Sequence, residues 1–204
     1  AKCSGVYANW VNSDDMLSLN SVKTLVTCGY NEDIIAGRCK IVDEKSSLVK
    51  KHDGEVQNVR DLIEIRKVWR SGGYIPQPSL FFSLKKFKEV GGLNILNHYT
   101  MDYELWGKMM ITGSDIRYID EEIGAFRVYD GQKVSNVGMT THSMVRNALD
   151  ILQFMNISKE DKESIKKDLI NYRREKSIGG GLLVDLGLPV WLIKHIRKFK
   201  SKVW

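Results

Sequence analysis

Strand-like and helix-like segments alternate along residues 6–128 of this 204-residue chain, and no other feature restricts the possible folds as strongly. The predicted strands are residues 6–11, 34–42, 80–82, 116–119 and 123–128, and the predicted helices are residues 17–27, 58–69, 85–90 and 103–111. Strands that alternate with helices are typical of a sheet that is covered on both faces. The sequence therefore predicts an α/β fold.

The composition changes near residue 140. From residue 141 onward helix formers predominate, with Pro189 as the single proline and a break at Gly179-Gly180-Gly181. Ser158, three residues before Asp161, is typical of a helix start. We therefore expect two parts: a sheet-containing domain in residues 1–140 and a helical, basic extension in residues 141–204.

The bulk composition restricts the class of protein. With 43% hydrophobic residues the chain can bury a core, which favours a globular domain over a disordered chain. Three cysteines without a close CxxC spacing fit neither a disulfide framework nor a zinc site and favour a reducing, cytoplasmic location. No apolar run reaches the roughly 18 residues that span a bilayer. Because the chain enters a predicted strand soon after Ala1, we expect it to be part of a longer protein.

The net charge of +6 is concentrated in the last third of the chain and points to an anionic partner. In residues 188–204, Trp191, Leu192, Ile196 and Phe199 fall on one face of a helix whose other positions are rich in Lys and Arg. Such a helix can lie on an anionic membrane surface, and a helix packed on the domain is an equally open alternative. Basic and aromatic residues are not interleaved on a strand, so no nucleic-acid partner is predicted.

Two neighbouring carboxylates, Asp14 and Asp15, follow the first predicted strand. In open α/β sheets ligands bind beyond the carboxyl ends of strands. Two carboxylates at that place can hold a divalent cation, which in turn neutralises a diphosphate. The alternative is that Asp14 caps the next helix while Asp15 is solvated, and the spacing alone does not decide between them.

A second candidate site lies in residues 98–113. Asp102 stands at the start of a predicted helix and Trp106 follows one turn later, so a general base would lie beside an aromatic platform. On residue pattern alone, an aspartate at this place is more often a helix cap than a general base. For Trp69, core packing is likewise a more frequent role than ligand binding. A turn-rich segment at residues 76–79 and the flexible pair Gly91-Gly92 add places where a ligand can approach the backbone.

These stretches, in this order, resemble the family 2 glycosyltransferases of the GT-A type, which transfer a sugar from a nucleotide-diphosphate donor with inversion. The matching segments are residues 10–15 (WVNSDD), 75–82 (IPQPSLFF), 90–93 (VGGL), 101–106 (MDYELW) and 126–135 (FRVYDGQKVS). The resemblance covers residues 5–135 and implies a partial GT-A fold with a mixed sheet. Relatives carry the first strands and part of the nucleotide pocket upstream of the segment that opens this chain.

The resemblance also implies roles for single residues. Asp14 and Arg127 would contact the nucleotide-sugar donor, Asp15 would coordinate Mg²⁺ or Mn²⁺, and Asp102 would be the base that deprotonates the acceptor hydroxyl. The acceptor side would be lined by Gln77, Ser79, Gly91, Gly92 and Trp106. Tyr129 stands where relatives often carry a histidine, which leaves a third protein ligand to the metal open.

The function that follows is sugar transfer to a hydroxyl acceptor, either a saccharide or a lipid-linked one, in the synthesis of a surface polysaccharide or glycan. The enzyme would act in the cytoplasm, with residues 188–204 binding it peripherally to the membrane. The alternative is a non-catalytic remnant or scaffold that lacks the nucleotide-binding half.

Overall fold

The computed structural model describes residues 3–27, 31–52, 54–68, 72–132 and 137–177. Within these ranges the chain forms a single mixed sheet with helices packed on both of its faces. Trp69, the end of the matching segment 126–135 from residue 133 onward, the glycine break and residues 188–204 lie outside the described residues, and so do the predictions made for them.

The described sheet has six strands. They are β1 (Tyr7–Asn9), β2 (Met16–Leu17), β3 (Ile34–Val42), β4 (Leu48–His52), β5 (Leu80–Ser83) and β6 (Ile116–Arg127). Their order is β1-β5-β3-β6-β2, with β4 paired to the second half of β3. β3 and β6 run parallel and the other pairs are antiparallel. The predicted α/β fold with a mixed sheet is confirmed.

The described helices are α1 (Ser21–Thr27), α2 (Val59–Ile63), α3 (Ile65–Val68), α4 (Leu84–Glu89), α5 (Met101–Ile111), α6 (Val137–Phe154) and α7 (Lys159–Ser177). The helix predicted over residues 17–27 begins later than expected, because Met16 and Leu17 pair with β6 instead. α7 begins where the sequence predicts, and the Ser158 hydroxyl accepts a hydrogen bond from the Asp161 amide at 3.0 Å.

β3 lies at the centre of the sheet, at the residues predicted for it, and most of its side chains are buried. Since side chains alternate along a strand, Ile34 and Ala36 join the larger hydrophobic cluster while Ile35 joins a smaller one on the other face. The smaller cluster packs against Leu25 of α1. The larger cluster contains side chains of α2, α5, α6 and α7.

Close packing of α5 on α6 fixes the helical layer. A Cβ atom added at Gly107 of α5 would lie 2.2 Å from Cδ1 of Ile151 in α6, so a larger residue at this position would displace the Ile151 side chain from the core. The first turn of α5, which contains Asp102, therefore has a position set by the core.

α6 and α7 belong to the same hydrophobic cluster as the sheet, through Val145, Ala148, Ile165 and Leu169. The helical character predicted for the region after residue 140 is present as far as Ser177. The division into two domains near residue 140 stays a prediction. Among the helices that the structure describes, none combines the length and the apolarity needed to cross a bilayer.

Candidate functional site

Asp15 is a buried carboxylate that ties the end of β1 to the end of β6. It lies in the loop between β1 and β2, well before α1 begins at Ser21, so this pair of aspartates does not cap that helix. Its Oδ1 accepts a hydrogen bond from the Arg127 backbone N–H at 3.0 Å, and its Oδ2 accepts one from Asn12 Nδ2 at 3.1 Å. Burial raises the pKa of Asp15, and these hydrogen bonds oppose the effect.

Asp14, its neighbour, is more open to solvent and is held by the segment that follows β6. Its Oδ2 accepts hydrogen bonds from the Tyr129 hydroxyl at 3.0 Å and from Gln132 Nε2 at 3.1 Å. Desolvation acts to raise the pKa of Asp14, but the hydrogen bonds from Gln132 and Tyr129 outweigh it, so the pKa is lowered. Two adjacent carboxylates therefore have pKa values displaced in opposite directions.

Arg127, at the end of β6, holds two loops together through main-chain carbonyl groups. Its Nε donates to the Asp14 carbonyl at 2.9 Å, and its Nη1 donates to the carbonyls of Asp43 and Glu44 at 2.9 and 3.0 Å. The guanidinium group thus fixes the backbone at Asp14 and the turn between β3 and β4. The predicted direct contact of Arg127 with a diphosphate stays a prediction.

The predicted base, Asp102, lines a cavity of about 340 Å³ between the sheet and the helical layer. Most of the wall is aromatic or aliphatic, with Trp10, Tyr74, Tyr99 and Phe126 among its residues. Asp102 lies in the first turn of α5, where its Oδ1 accepts a hydrogen bond from the Tyr103 amide at 2.8 Å. Desolvation raises the pKa of Asp102 against the effect of backbone hydrogen bonds. A carboxylate of this kind, in a cavity, is suited to take up a proton.

Asp102 is not the N-cap residue of α5, although a cap was the alternative explanation of this aspartate. Thr100 is the N-cap residue of α5, and its side chain does not bond to the helix N–H groups. Instead its hydroxyl lies 2.7 Å from the Ser143 hydroxyl and accepts a hydrogen bond from Asn147 Nδ2 at 2.8 Å, both in α6. Asn97 completes this buried network by accepting from Ser143 at 2.9 Å. The network fixes the start of α5 and leaves the Asp102 side chain directed at the cavity.

The residues predicted for the acceptor side separate into two groups. Gln77 and Trp106 line the cavity together with Asp102. Ser79, Gly91 and Gly92 do not belong to its described wall. Ser79 is fully buried and donates to the Pro76 carbonyl at 2.9 Å, which stabilises the 3-10 turn Gln77–Ser79. Gly91 and Gly92, with φ angles of +83° and +69°, end α4, where the left-handed backbone favours glycine.

Asn12 is a residue of this candidate site that the sequence analysis did not single out. Its Nδ2 donates both to Asp15 Oδ2 and, at 2.8 Å, to Gln77 Oε1, and its side chain also lines the cavity. It therefore joins the strand-end carboxylates to the cavity of Asp102. Its position next to Asp14-Asp15 in the sequence could have indicated a place in the site. Its contact with Gln77 could not be predicted, because Gln77 lies 65 residues away in the sequence.

The two strand-end carboxylates fit the chemistry of a divalent cation. Mg²⁺ is commonly held by one or two carboxylates together with phosphate oxygens of a substrate. Asp15 is buried, with amide N–H groups rather than cations as its hydrogen-bond partners, so a metal ion would compensate a charge that burial disfavours. Within the described ranges no three acidic, histidine or cysteine side chains gather as a metal site, so phosphate or water oxygens would complete the coordination.

Neither the protein-family models nor the curated proteins match this chain. Among solved structures, the fragment 1-349 of S. aureus TarS in complex with UDP-GlcNAc matches with a TM-score of 0.58 and 11% identity, over 87% of this chain and 52% of that one. The UDP complex of the same fragment matches with a TM-score of 0.57 and 12% identity, over 90% and 51%. The chain thus spans about half the length of these structures. TarS is a glycosyltransferase, and at this identity the match shows a glycosyltransferase-like fold.

Proposed function

We propose that this chain forms the carboxy-terminal part of the catalytic domain of a metal-dependent, inverting glycosyltransferase of the family 2, GT-A type. The donor is a nucleotide-diphosphate sugar and the acceptor is a hydroxyl of a saccharide or of a lipid-linked saccharide. The observation that carries the proposal is the Asn12 bridge, because it brings the Asp14-Asp15 strand end and the Asp102 cavity into one connected site. The likeness to a structure that binds UDP-GlcNAc supports the choice of donor.

Each carboxylate has its own task in this reaction. Asp102 accepts the proton of the acceptor hydroxyl while the oxygen of that hydroxyl attacks the anomeric carbon from the face opposite the leaving group. The bond between the anomeric carbon and the diphosphate oxygen breaks, and the nucleoside diphosphate leaves with the electron pair. A single displacement of this kind inverts the anomeric configuration. The raised pKa of Asp102 makes it a better proton acceptor than an exposed aspartate.

The strand end binds the donor. Asp15, with Asp14 beside it, would hold a Mg²⁺ or Mn²⁺ ion, which supplies positive charge to the diphosphate when it is bound. Asp14 contacts the donor ribose or diphosphate while Tyr129 and Gln132 hold its carboxylate. Arg127 orients this loop through the Asp14 carbonyl.

The stereochemistry of the product tests the proposal. The protein in which this chain occurs is incubated with Mn²⁺, a panel of nucleotide-diphosphate sugars that includes UDP-GlcNAc, and saccharide acceptors. We expect release of the nucleoside diphosphate and a glycosidic bond whose anomeric configuration, measured by NMR, is opposite to that of the donor. Retention of configuration contradicts the mechanism, and failure to bind or turn over every donor favours a non-catalytic scaffold.

Membrane association completes the proposal. A lipid-linked acceptor would be reached at the cytoplasmic face of the membrane, with the basic segment 188–204 binding anionic lipid. We expect the full chain to co-sediment with anionic vesicles more than with neutral ones, and a chain that ends at residue 187 to lose this difference. Equal binding by the shortened chain contradicts the membrane role of the segment.

A further inference from the structure

The loop between α4 and α5 presents two large aliphatic side chains to the solvent. Ile95 and Leu96, called here the Ile95-Leu96 pair, are 78% and 82% exposed. A single exposed aliphatic residue is common on a protein surface and needs no explanation, whereas apolar residues that are exposed together often mark an interaction site.

Hydrogen bonds hold the loop on both sides of the Ile95-Leu96 pair. Asn94 and Asn97 flank the pair, and the side-chain amide of each donates to the Glu104 carboxylate of α5, at 3.1 and 2.8 Å. Asn94 Oδ1 also accepts a hydrogen bond from the Leu96 amide at 3.1 Å, and Asn97 is buried. Both ends of the loop are thus tied to α5, and the aliphatic pair is projected outward between them.

The pair lies beside an opening of the Asp102 cavity. His98, two residues after Leu96, lines this cavity and is itself exposed, so the cavity meets the solvent on this side. Thr140 of α6 also lines the cavity, and Val137, one turn earlier on the same helix face, is 48% exposed. Exposed aliphatic residues therefore border the cavity wall on two different elements.

The helix that leads into the loop is basic. α4 contains Lys85, Lys86 and Lys88 against a single acidic residue, Glu89. The side chains of Lys85 and Lys88 are exposed. A surface that combines exposed cations with exposed aliphatic residues is complementary to an anionic lipid bilayer, because the lysines attract the headgroups while the aliphatic side chains leave water.

The size of this surface favours lipid over a protein partner. A stable protein interface takes about 20–30 residues from each side, and its energetic centres are usually aromatic or arginine side chains. Among the described residues of this surface, the exposed apolar part consists of Ile95, Leu96 and Val137, all aliphatic. That is too little for such an interface, but a few aliphatic side chains beside lysines are enough to contribute to binding at a membrane surface.

We infer that the Ile95-Leu96 pair is a membrane contact, which inserts between the headgroups of an anionic bilayer and turns the opening of the Asp102 cavity toward it. The inference rests on the proposed function and adds the orientation of the acceptor site, because an acceptor hydroxyl carried at the membrane surface would then enter from the bilayer side. Residues 188–204 would bring the chain to the membrane, whereas the pair determines which face of the domain meets the lipid.

Vesicle binding of a double variant tests the contact. The full 204-residue chain is mixed with vesicles of phosphatidylcholine and phosphatidylglycerol at high salt, which screens the basic residues. Ile95→Ser with Leu96→Ser should lower the partition coefficient at least about tenfold, because two aliphatic side chains no longer leave water on binding. Thermal melting establishes that each variant is folded.

The matched control is Val22→Ser with Val26→Ser in α1. These valines are also exposed, at 55% and 74%, but α1 packs through Leu25 on the sheet face opposite the cavity. The control variant therefore loses two exposed aliphatic side chains without touching the proposed contact. Its partition coefficient should equal that of the unchanged chain.

A fluorescent label locates the loop relative to the lipid. Leu96→Cys is labelled with an NBD group in a chain in which Cys3 and Cys28 are replaced by serine, while Cys39 is buried and does not react. On vesicle binding, the NBD emission should shift to shorter wavelength and should be quenched by nitroxide groups on the lipid acyl chains. The same label at Val22→Cys should show neither change.

Four results would overturn the inference. They are an unchanged partition coefficient in the loop variant, an equal loss in the α1 control, a label at position 96 that stays in water on bound vesicles, and a dimer in solution that the loop variant abolishes, which would assign the pair to a second copy of the chain.

These results are separable from those of the transfer assay. A chain that transfers sugar with inversion to a soluble acceptor, while the label at position 96 stays in water, refutes the membrane contact alone. Insertion of the loop in a chain that turns over no donor refutes the proposed transfer and leaves the membrane contact standing.

Discussion

The two acidic regions of this molecule hold their carboxylates in opposite ways. At the end of β1, Asp15 accepts hydrogen bonds from its neighbour Asn12 and from the distant Arg127 backbone. Asp14 accepts hydrogen bonds from two side chains of the segment that follows β6. In the cavity, Asp102 accepts from the backbone of its own helical turn, and much of the surrounding wall is aromatic or aliphatic. The end of β1 fixes its two carboxylates by hydrogen bonds from other residues, whereas the cavity leaves the Asp102 carboxylate poorly solvated.

This difference separates two chemical tasks. A carboxylate that is hydrogen-bonded from several sides keeps a fixed position, which is what cation or ribose binding needs. A carboxylate whose pKa is raised by desolvation binds a proton more readily, which is what a general base needs. Asp15 combines both properties, because it is held by hydrogen bonds and still has a raised pKa. A bound cation would reverse that shift, since an opposite charge favours the ionised form.

Removing the Asp102 carboxylate should have the largest effect on the reaction. In Asp102→Asn we expect turnover to fall by about 10²- to 10⁴-fold, the usual contribution of a general base, while donor affinity is kept. Because the pKa of Asp102 is raised, activity of the unchanged protein should be lost on acidification at a pH above the ordinary range of an aspartate. Steady-state kinetics as a function of pH measure both quantities.

The control for this variant is Asp150→Asn, the same change on the exposed side of α6. It should leave the rate and the pH profile unchanged. If Asp102→Asn lost donor affinity together with turnover, Asp102 would belong to the donor site, and the contrast between the two regions would fail.

Arg127→Lys should have the second largest effect, and it concerns stability. A lysine has a single nitrogen and cannot reproduce the fork that reaches the carbonyls of Asp14, Asp43 and Glu44. We expect the free energy of unfolding to fall by about 1.5–3 kcal/mol, as for the loss of hydrogen bonds from a charged group. Urea denaturation measures it, with Arg117→Lys on the exposed face of β6 as the matched variant that should change little. Equal effects in the two variants would mean that Arg127 does not anchor the strand end.

The sequence predicts the parts of this arrangement that depend on local patterns. β3 is found where its apolar run predicts, and α5 begins close to the predicted start. β4 was not predicted, because its sequence LVKKH does not alternate apolar and polar residues. In the structure its first four residues are all exposed. The bond between Asp15 and Arg127 joins residues 112 positions apart. Such partners depend on the path of the chain in three dimensions, which neither composition nor spacing reveals.

Asn147→Ala tests how the cavity region is positioned. Asn147 donates to the Thr100 hydroxyl and, at 3.3 Å, to the Thr100 carbonyl, so its removal takes two buried hydrogen bonds from the start of α5. The Thr100 carbonyl keeps its bond from the Glu104 amide, and the Thr100 hydroxyl keeps its contact with Ser143. We expect a loss of about 1–3 kcal/mol in stability and a fall in turnover without a change in donor affinity. A role in packing alone would lower stability while turnover stays constant, so kinetics below the melting range distinguish the two. Arg146→Ala, at an exposed position of the same helix, is the control.

Tyr129→Phe should have the smallest effect and tests the strand end alone. The substitution removes one of the two hydrogen bonds to Asp14 Oδ2 and leaves the one from Gln132. Because the Tyr129 ring stays in place and only a solvent-accessible hydroxyl is removed, the melting temperature should hardly change, whereas donor affinity should weaken by about two- to tenfold. The bond from Tyr129 also lowers the pKa of Asp14, so its loss raises that pKa, and donor binding should disappear at a higher pH on acidification.

Tyr7→Phe is the matched change for this last test, because it also removes a hydroxyl, one that donates to the Glu32 carbonyl at 2.8 Å. Titration calorimetry with UDP and Mn²⁺ across a range of pH should show the shift in Tyr129→Phe and not in Tyr7→Phe. If both variants bind UDP like the unchanged protein at every pH, Asp14 does not touch the donor. Its hydrogen bonds would then serve only to close the loop after β6, and the contrast with Asp102 would be one between a structural carboxylate and a catalytic one.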